Sequence, residues 1–422
     1  MSSIEQIIAN LCPQGVEYKA LGDIGTLIRG NGLQKKDFTY EGTGCIHYGQ
    51  IYTYYGTFTF TTKSKVSDEL ADKLVKVNTG DLVIACTSEN IDDVCKAVAW
   101  LGDEQIVTGG HSIVYRHTLE PKYVAYYFQT ADFYSQKKKY ARGAKVIDIK
   151  VEDLAKIEIP VPPLEVQRKI VEVLDNFSEL TAELTAELTA ELTARQKQYE
   201  YYRDNLLNFN NINRGGQNEE IEWRPLGEVM TIVRGASPRP IQNYLTTEEN
   251  GIPWIKIGDV NPESKHIETT AERITVEGAK KSRLLHAGDF VLSNSMSFGR
   301  PYILKIDGCI HDGWISMSGF EDKLDTDFLY HLLRSSPIQK TWKMRASSGT
   351  VSNLNADIVR ETVIPIPPMS IQKEIASILD KFSSLTTDLT SGLPAEIKAR
   401  QQQYEYYRNK LLTFPRKACC FF

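Results

Sequence analysis

The spacing of apolar positions changes along this chain, and the changes come in the same order twice. In each half, roughly the first 140 residues carry short apolar runs bounded by turn residues, the pattern of strands. Examples are GDLVIAC (80–86) and HSIVYR (111–116), then IPWIKIGDV (252–260) and GDFVLSNS (288–295). Helical stretches follow at 123–140 and 327–344. The last part of each half opens on a proline pair, Pro162-Pro163 or Pro367-Pro368, as helices often do. Ile170, Val173, Leu174 and Phe177 then follow the i, i+3, i+4, i+7 spacing of one helical face. A helix from Leu164 to Phe209 would be on the order of 70 Å long. In the second half, Ser391-Gly392-Leu393-Pro394 predicts a kink or break. Two such helices, each with an apolar stripe, are expected to bury the stripes on each other.

Within the first helical tract lies ELTAELTAELTAELTA, Glu179–Ala194, whose repeat leucines are Leu180, Leu184, Leu188 and Leu192. Alanine, leucine and glutamate favour helix, and threonine is tolerated. Four residues turn ~400°, so each repeat moves its leucine ~40° around the axis. A period above 3.6 winds to the right and cannot hold a left-handed coiled-coil seam for long. The tract reads as a spacer, either simply part of a helical pair or a ruler between two modules.

What it separates is a duplication. VEYKALGDIGTLIRG (16–30) and IEWRPLGEVMTIVRG (221–235) agree at six of fifteen positions. IPVPPLEVQRKIVEVLDNFSEL (159–180) and IPIPPMSIQKEIASILDKFSSL (364–385) agree at eleven of twenty-two. LTARQKQYEYYRDNLLNF (192–209) and IKARQQQYEYYRNKLLTF (397–414) agree at twelve of eighteen. The offset is 205 each time, so two domain-sized copies are present rather than a solenoid. The interiors match less well than the flanks, which fits either different targets or drift.

Composition adds limits. The 422 residues are 41% hydrophobic and 24% charged, ordinary for a globular protein with room for two or three domains. No apolar run approaches the ~20 residues of a membrane span, and the opening residues lack a secretory pattern, so a cytoplasmic location is expected. Seven cysteines without a CxxC pair suggest reduced thiols, and Cys419-Cys420-Phe421-Phe422 reads as a tail. The net charge of −5 hides two basic segments. Residues 121–150 hold seven Lys/Arg against two Asp, and residues 334–360 hold five against one.

These segments supply the candidate phosphate contacts: Lys137, Lys138, Lys139, Arg142 and Lys145 in the first copy. Lys340, Lys343, Arg345, Ser347, Ser348 and Thr350 are the second set. A plain solvated face is the alternative. Gly143 and Gly349 fit either close backbone approach or an ordinary turn. Candidate base readers are Gln50, Tyr52, Tyr54 and Tyr55, with Asn294, Ser295, Ser297 and Arg300. Tyr199, Tyr201, Tyr202 and Arg203 recur as Tyr404, Tyr406, Tyr407 and Arg408. They pack against the helices or domains, or else dock a partner. No Walker loop, GxSxG, HExxH or metal-ligand spacing is present, so the chain is expected to be non-catalytic.

Taken together, the duplication, the IPxPP…Q…I…LD.F motifs at Ile159 and Ile364, the RQxQYEYYR motifs at Arg195 and Arg400 and the TAEL units from Thr181 resemble the specificity (S) subunits of type I restriction-modification systems. The resemblance covers nearly the whole chain. It implies an α+β architecture in which two mixed target recognition domains are separated by two long helices, packed as an antiparallel coiled-coil-like pair with pseudo-two-fold symmetry. The blocks would be 1–158 and 213–363 for the recognition domains, 159–212 and 364–414 for the helical regions, and 415–422 for the tail. The resemblance further implies a split, asymmetric DNA site and two methyltransferase (M) subunits that methylate adenine. Restriction (R) subunits would add translocation and cleavage. S-adenosylmethionine, ATP and Mg would sit on those partners, with no cofactor or metal on this chain. The competing reading is a duplicated helical scaffold that does not touch DNA, with an independent enzyme a distant third.

Overall fold

A computed structural model describes residues 3–209, 221–261, 264–294, 298–346, 353–387 and 392–417. Ser295, Ser297, Ser347, Ser348, Gly349, Thr350 and the tail from 418 lie outside the described residues. The chain forms two compact units, and one of them is assembled from both ends of the sequence. One combines the chain up to Thr185 with the residues from Ala399 onward, and the other is Ala186–Lys398. Each unit therefore holds one sheet-rich domain together with the end of the other copy's helical region. The division falls inside the TAEL tract.

In the first unit a five-stranded sheet runs in the order Gly25–Arg29, Ser112–His117, Leu82–Ala85, Ala97–Trp100, Phe58–Thr59. Its pairings are antiparallel except the last. A four-stranded sheet joins Ser64–Val66, Thr43–Ile46, Ile106–Thr108 and Val75–Val77, with a parallel pair at its centre. The second unit repeats both plans. One sheet runs Thr231–Arg234, Trp314–Ser318, Phe290–Ser293, Pro301–Leu304, His266–Ile267, again parallel only at the last pair. The other gains an edge strand, Leu245–Thr246. The expected runs are thus strands, shorter than the apolar runs in every case but Ser112–His117. The run at 252–260 is strand only over Ile252–Ile255, after which Ile257–Asp259 is a 3₁₀ turn.

Each expected helical stretch is two helices: Pro121–Tyr127 and Ala131–Tyr140, then Thr326–Leu333 and Ser336–Ala346. The break in the first has a local cause. The Thr130 hydroxyl accepts the Phe133 amide at 3.2 Å, so Thr130 caps a new helix.

The spacer is one helix, Leu164–Leu206, of 43 residues. Its counterpart is described as two, Met369–Thr387 and Leu393–Leu411, with Pro394 at the start of the second. The apolar stripe is used differently from expectation. Ile170 and Leu174 are fully buried in the first unit's core with Tyr123 and Tyr126. Ile375 and Leu379 are likewise buried in the second. The stripe first closes its own copy's domain. At the last position of the stripe, Phe177, and at its counterpart Phe382, the helix meets the other copy's tail.

The repeat leucines are not fully buried. Leu184, Leu188 and Leu192 are only half-buried, and Leu180 is 51% exposed. The cause is the ~40° drift of each leucine around the axis, which carries successive side chains off any single line of contact. All four lie within the one continuous helix.

The motif glutamine fastens each helix start. Gln167 is buried. Its amide donates to the Pro162 carbonyl at 2.7 Å and accepts from the Glu120 amide at 2.9 Å. Gln372 does the same with Pro367 (2.7 Å) and Asp325 (2.8 Å). Replacing Gln167 by Leu leaves two buried backbone groups unpaired. The expected loss is about 1–3 kcal/mol of unfolding free energy, read by urea denaturation.

Candidate nucleic-acid interface and helical seat

The helix Ala131–Tyr140 carries the first lysine run, and its faces divide that run. Lys137 is 4% exposed and turned inward. Its ammonium donates to the carbonyls of Asp92 (2.9 Å) and Val94 (2.7 Å), and burial pulls its pKa down. It is therefore a structural residue and leaves the set of candidate phosphate contacts. The spacing held the clue, since Lys137 follows buried Phe133 by four residues and shares its face. Lys138, Lys139, Arg142 and Lys145 are exposed. Arg142 and Asp148 pair through both backbone groups and close the basic turn. Gly143 sits there at φ +124°, where a Cβ would lie 1.9 Å from the Val146 carbonyl oxygen. The turn itself demands the glycine.

In the second unit Lys340, Lys343 and Arg345 are exposed on the helix Ser336–Ala346. Arg345 pairs with Glu361. Gln50 is buried, engaged by the His47 amide and Ser64, which removes it as a base reader. Tyr52 donates to the Thr87 carbonyl at 2.6 Å. Tyr54 remains exposed, with Lys63 over its ring.

The recurring tyrosines build a seat that is nearly the same in both units. Tyr202 stacks on Phe382 with ring centroids 5.1 Å apart, and Tyr407 stacks on Phe177 at 5.7 Å. The Asp204 carboxylate accepts the Ser336 amide at 3.0 Å, and the Asn409 side chain accepts the Ala131 amide at 3.0 Å. Each tail thus satisfies an amide at the start of the basic helix in the other copy's domain. Arg203 is buried against Asp204 and Ser336, while Arg408 reaches Gln129. Tyr199 is buried, so of the candidate docking residues Tyr199 and Arg203 face inward. Tyr201 and Tyr406 are 66% and 62% exposed.

Beneath the seat runs a polar chain that differs between units. In the first, Tyr404 meets Ser178 at 2.9 Å and Ser178 meets Tyr126 at 3.2 Å. Tyr126 donates to Asp175 at 2.8 Å, and Lys122 pairs with the same carboxylate. In the second, His331 replaces Tyr126. Its Nδ1 meets the Tyr199 hydroxyl at 2.7 Å and its Nε2 meets Asp380 at 2.9 Å. Lys265 also pairs with Asp380, and with Asp327. Burial pushes the His331 pKa below its ordinary value, against the pull of Asp380. Burial opposes the Asp380 charge, yet bonds from His331 and Lys265 hold its pKa down at about 2.

Among the described residues, no group of three or more His, Cys, Asp or Glu could hold a metal ion, and the five described cysteines are free. None of the described helices is long and apolar enough to cross a membrane.

A family model described as the type I restriction modification DNA specificity domain matches twice, over residues 13–194 and 218–399. The chain belongs to the type I restriction-modification DNA specificity family. It is 34% identical over 312 residues to a putative type I restriction enzyme specificity subunit of Haemophilus influenzae, covering 72% of this chain and 75% of that one. It is 33% identical over 273 residues to the EcoR124I/EcoR124II specificity subunit of Escherichia coli. That match covers 62% of this chain and 64%, just under two thirds, of the relative. Two solved structures share the fold. One, reported for complex assembly and conformational transition of the type I R-M system, has a TM-score of 0.70 at 18% identity, covering 95% of this chain and 98% of that one. The other, the HsdS subunit of Thermoanaerobacter tengcongensis, has a TM-score of 0.51 at 19% identity, covering 95% and 97%. As a member of this family the chain is a DNA specificity subunit with two recognition domains, and the scaffold reading is set aside.

Two outcomes follow for the specificity subunit. Lys137→Ala strands two carbonyls and should lower stability by about 1–3 kcal/mol. Lys138→Ala, one residue on, should change it by less than about 0.5 kcal/mol in the same denaturation assay. The seat should also weaken in acid. For His331 and Asp380 the unfolded chain binds protons more readily than the folded one, so stability is full above both unfolded pKa values and falls with pH. Loss from His331 begins below about pH 6.5, and loss from Asp380 below about pH 4. His331→Gln should remove the upper part of that decline in thermal melts across pH 4–8.

Proposed function

We propose that this specificity subunit reads a split, asymmetric DNA site, one half with each domain, and directs adenine methylation or cleavage carried out by partner subunits. The single observation behind this reading is the repeated sheet plan, carried twice with unlike surfaces and an exposed basic segment in each. Lys138, Lys139, Arg142 and Lys145, with Lys340, Lys343 and Arg345, contact phosphates and set register. Ser347, Ser348 and Thr350 extend the second set in the same role. The chain itself is non-catalytic. Two M subunits dock on the helical seats through the exposed Tyr201 and Tyr406, and R subunits join them. S-adenosylmethionine, ATP and Mg belong to those partners, and the complex works in the cytoplasm.

The TAEL tract acts as the ruler between half-sites. One added unit lengthens a helix by ~6 Å and turns it ~40°. One base pair advances ~3.4 Å and turns roughly 35°. Mapping methylated adenines in cells that express the chain with its methyltransferase tests the proposal. An inserted TAEL unit should lengthen the gap between half-sites and leave both half-site sequences alone. A changed half-site would overturn the ruler, and methylation without a split site would overturn the reading itself. Alanine at Lys138, Lys139 and Lys145 together should weaken binding on every sequence and flatten its salt dependence by up to three counterions.

A further inference from the structure

The two domains share one more feature, a cleft in each at equivalent places. The first, about 480 Å³, is lined by Gln34, Lys35, Tyr48 and His111 among others. The second, about 630 Å³, is lined by Arg239, Gln242, Trp254, Lys256 and Asp312 among others.

Their frames agree. Arg29 and Arg234, 205 positions apart, each donate Nε to a backbone carbonyl at the cleft, that of Gly110 (3.2 Å) and that of Asp312 (3.0 Å). The glycines that follow, Gly30 and Gly235, donate their amides across the sheet at 2.9 and 2.8 Å. At either one a Cβ would lie 2.1 Å from a carbonyl oxygen, so neither loop tolerates a side chain there. The far walls match as well. The His47 amide donates to the Gln50 side chain at 3.1 Å, and the Lys256 amide to Asp259 at 2.8 Å. Gln50 is thus part of the frame.

The linings do not agree. The loop after the Arg-Gly pair is NGLQKKD (31–37) in one copy and ASPRPIQ (236–242) in the other. A held frame with exchanged side chains is what two sites of one kind with different ligands require.

Each cleft also adjoins its domain's basic segment. In the first, Ile147–Asp148 pairs with Thr87–Ser88, and Asp148 takes Arg29 at 2.9 Å. His111 meets Thr87 at 2.9 Å. In the second, Leu354 donates to the Asn294 carbonyl, and Asn294 donates to the Asp312 carbonyl at 3.4 Å. Phosphates held alongside fix the register in which base edges are read.

We infer that these clefts receive the base edges of the two half-sites, and that Arg239 reads a guanine in the half-site of the second domain. The inference rests on the DNA reading proposed above. Arg239 is 83% exposed, with one guanidinium edge held by Asp312 at 3.2 Å. A tethered, open guanidinium suits the O6 and N7 acceptors of guanine in the major groove. The first cleft offers an exposed glutamine, lysine and imidazole instead, so its half-site is read by other donors.

Methylation mapping and binding-site selection with the assembled complex test this. Arg239→Ala should relax one G·C position in one half-site roughly ten- to a hundredfold, with the other half-site and the spacing unchanged. Gln242→Ala should relax a position in that same half-site, and His111→Ala a position in the other. Arg239 and Gln242 are exposed, so unchanged melting temperatures are expected for their variants. If Arg239→Ala and Gln242→Ala weaken binding equally on all sequences, or leave every position intact, the cleft assignment falls while the DNA reading stands. If the wild-type complex selects no split site, both fall.

Discussion

Each unit of this protein depends on an exchanged helix end. The tail of one copy lays its YEYYR segment on the domain of the other, where Asp204 or Asn409 accepts a free amide at the start of the basic helix. A helix start leaves amides without intrahelical partners, and both of these helices find one in the opposite copy. Asp204 adds a favourable charge at the positive end of the helix dipole, which Asn409 does not. Stacked rings, Tyr202 on Phe382 and Tyr407 on Phe177, fix the angle of approach. Neither domain has its full set of contacts without the other copy's tail.

That exchange explains which parts of the duplication stayed alike. The helical flanks must fit each other crosswise, so a change in one tail has to suit the opposite domain. The domain interiors are free of that constraint as long as the sheets keep their order. The shared elements inside them are those that hold backbone in place: Gln167 and Gln372 at the helix starts, and Arg29-Gly30 and Arg234-Gly235 beneath the clefts. The polar chains beneath the seats show how far substitution can go within the frame. Tyr126 and His331 stand at equivalent positions and each reaches the aspartate of its own unit, Asp175 or Asp380, but only the imidazole adds a group whose ordinary pKa lies near neutrality.

Much of this was legible in the chain. The duplication, the strand runs, the proline-opened helices and the break before Pro394 follow from spacing and local chemistry. The winding of Leu180, Leu184, Leu188 and Leu192 was legible too, and it accounts for their partial exposure. The site was legible in part. Charge counts located the basic segments but not their faces, and so could not separate Lys137 from Lys138. Burial of a lysine depends on which carbonyls another loop brings near, and those of Asp92 and Val94 are more than forty residues away. Gln50 misled for a similar reason, since an amide in an aromatic loop reads as exposed until the cap it makes is seen. The clefts had no sequence signal beyond the repeated Arg-Gly pair.

The sequence by itself determined that there are two copies of one domain, that a regular helix separates them, and to which family they belong, because repetition and period are properties of order along a chain. Only the tertiary structure decided that each compact unit is assembled from both copies. It also decided that the apolar stripe closes a domain before it meets a helix, and that the unlike loops line equivalent clefts. Those outcomes depend on which surfaces meet across hundreds of residues, and contact at that range is set by packing and hydrogen-bond geometry rather than by local pattern.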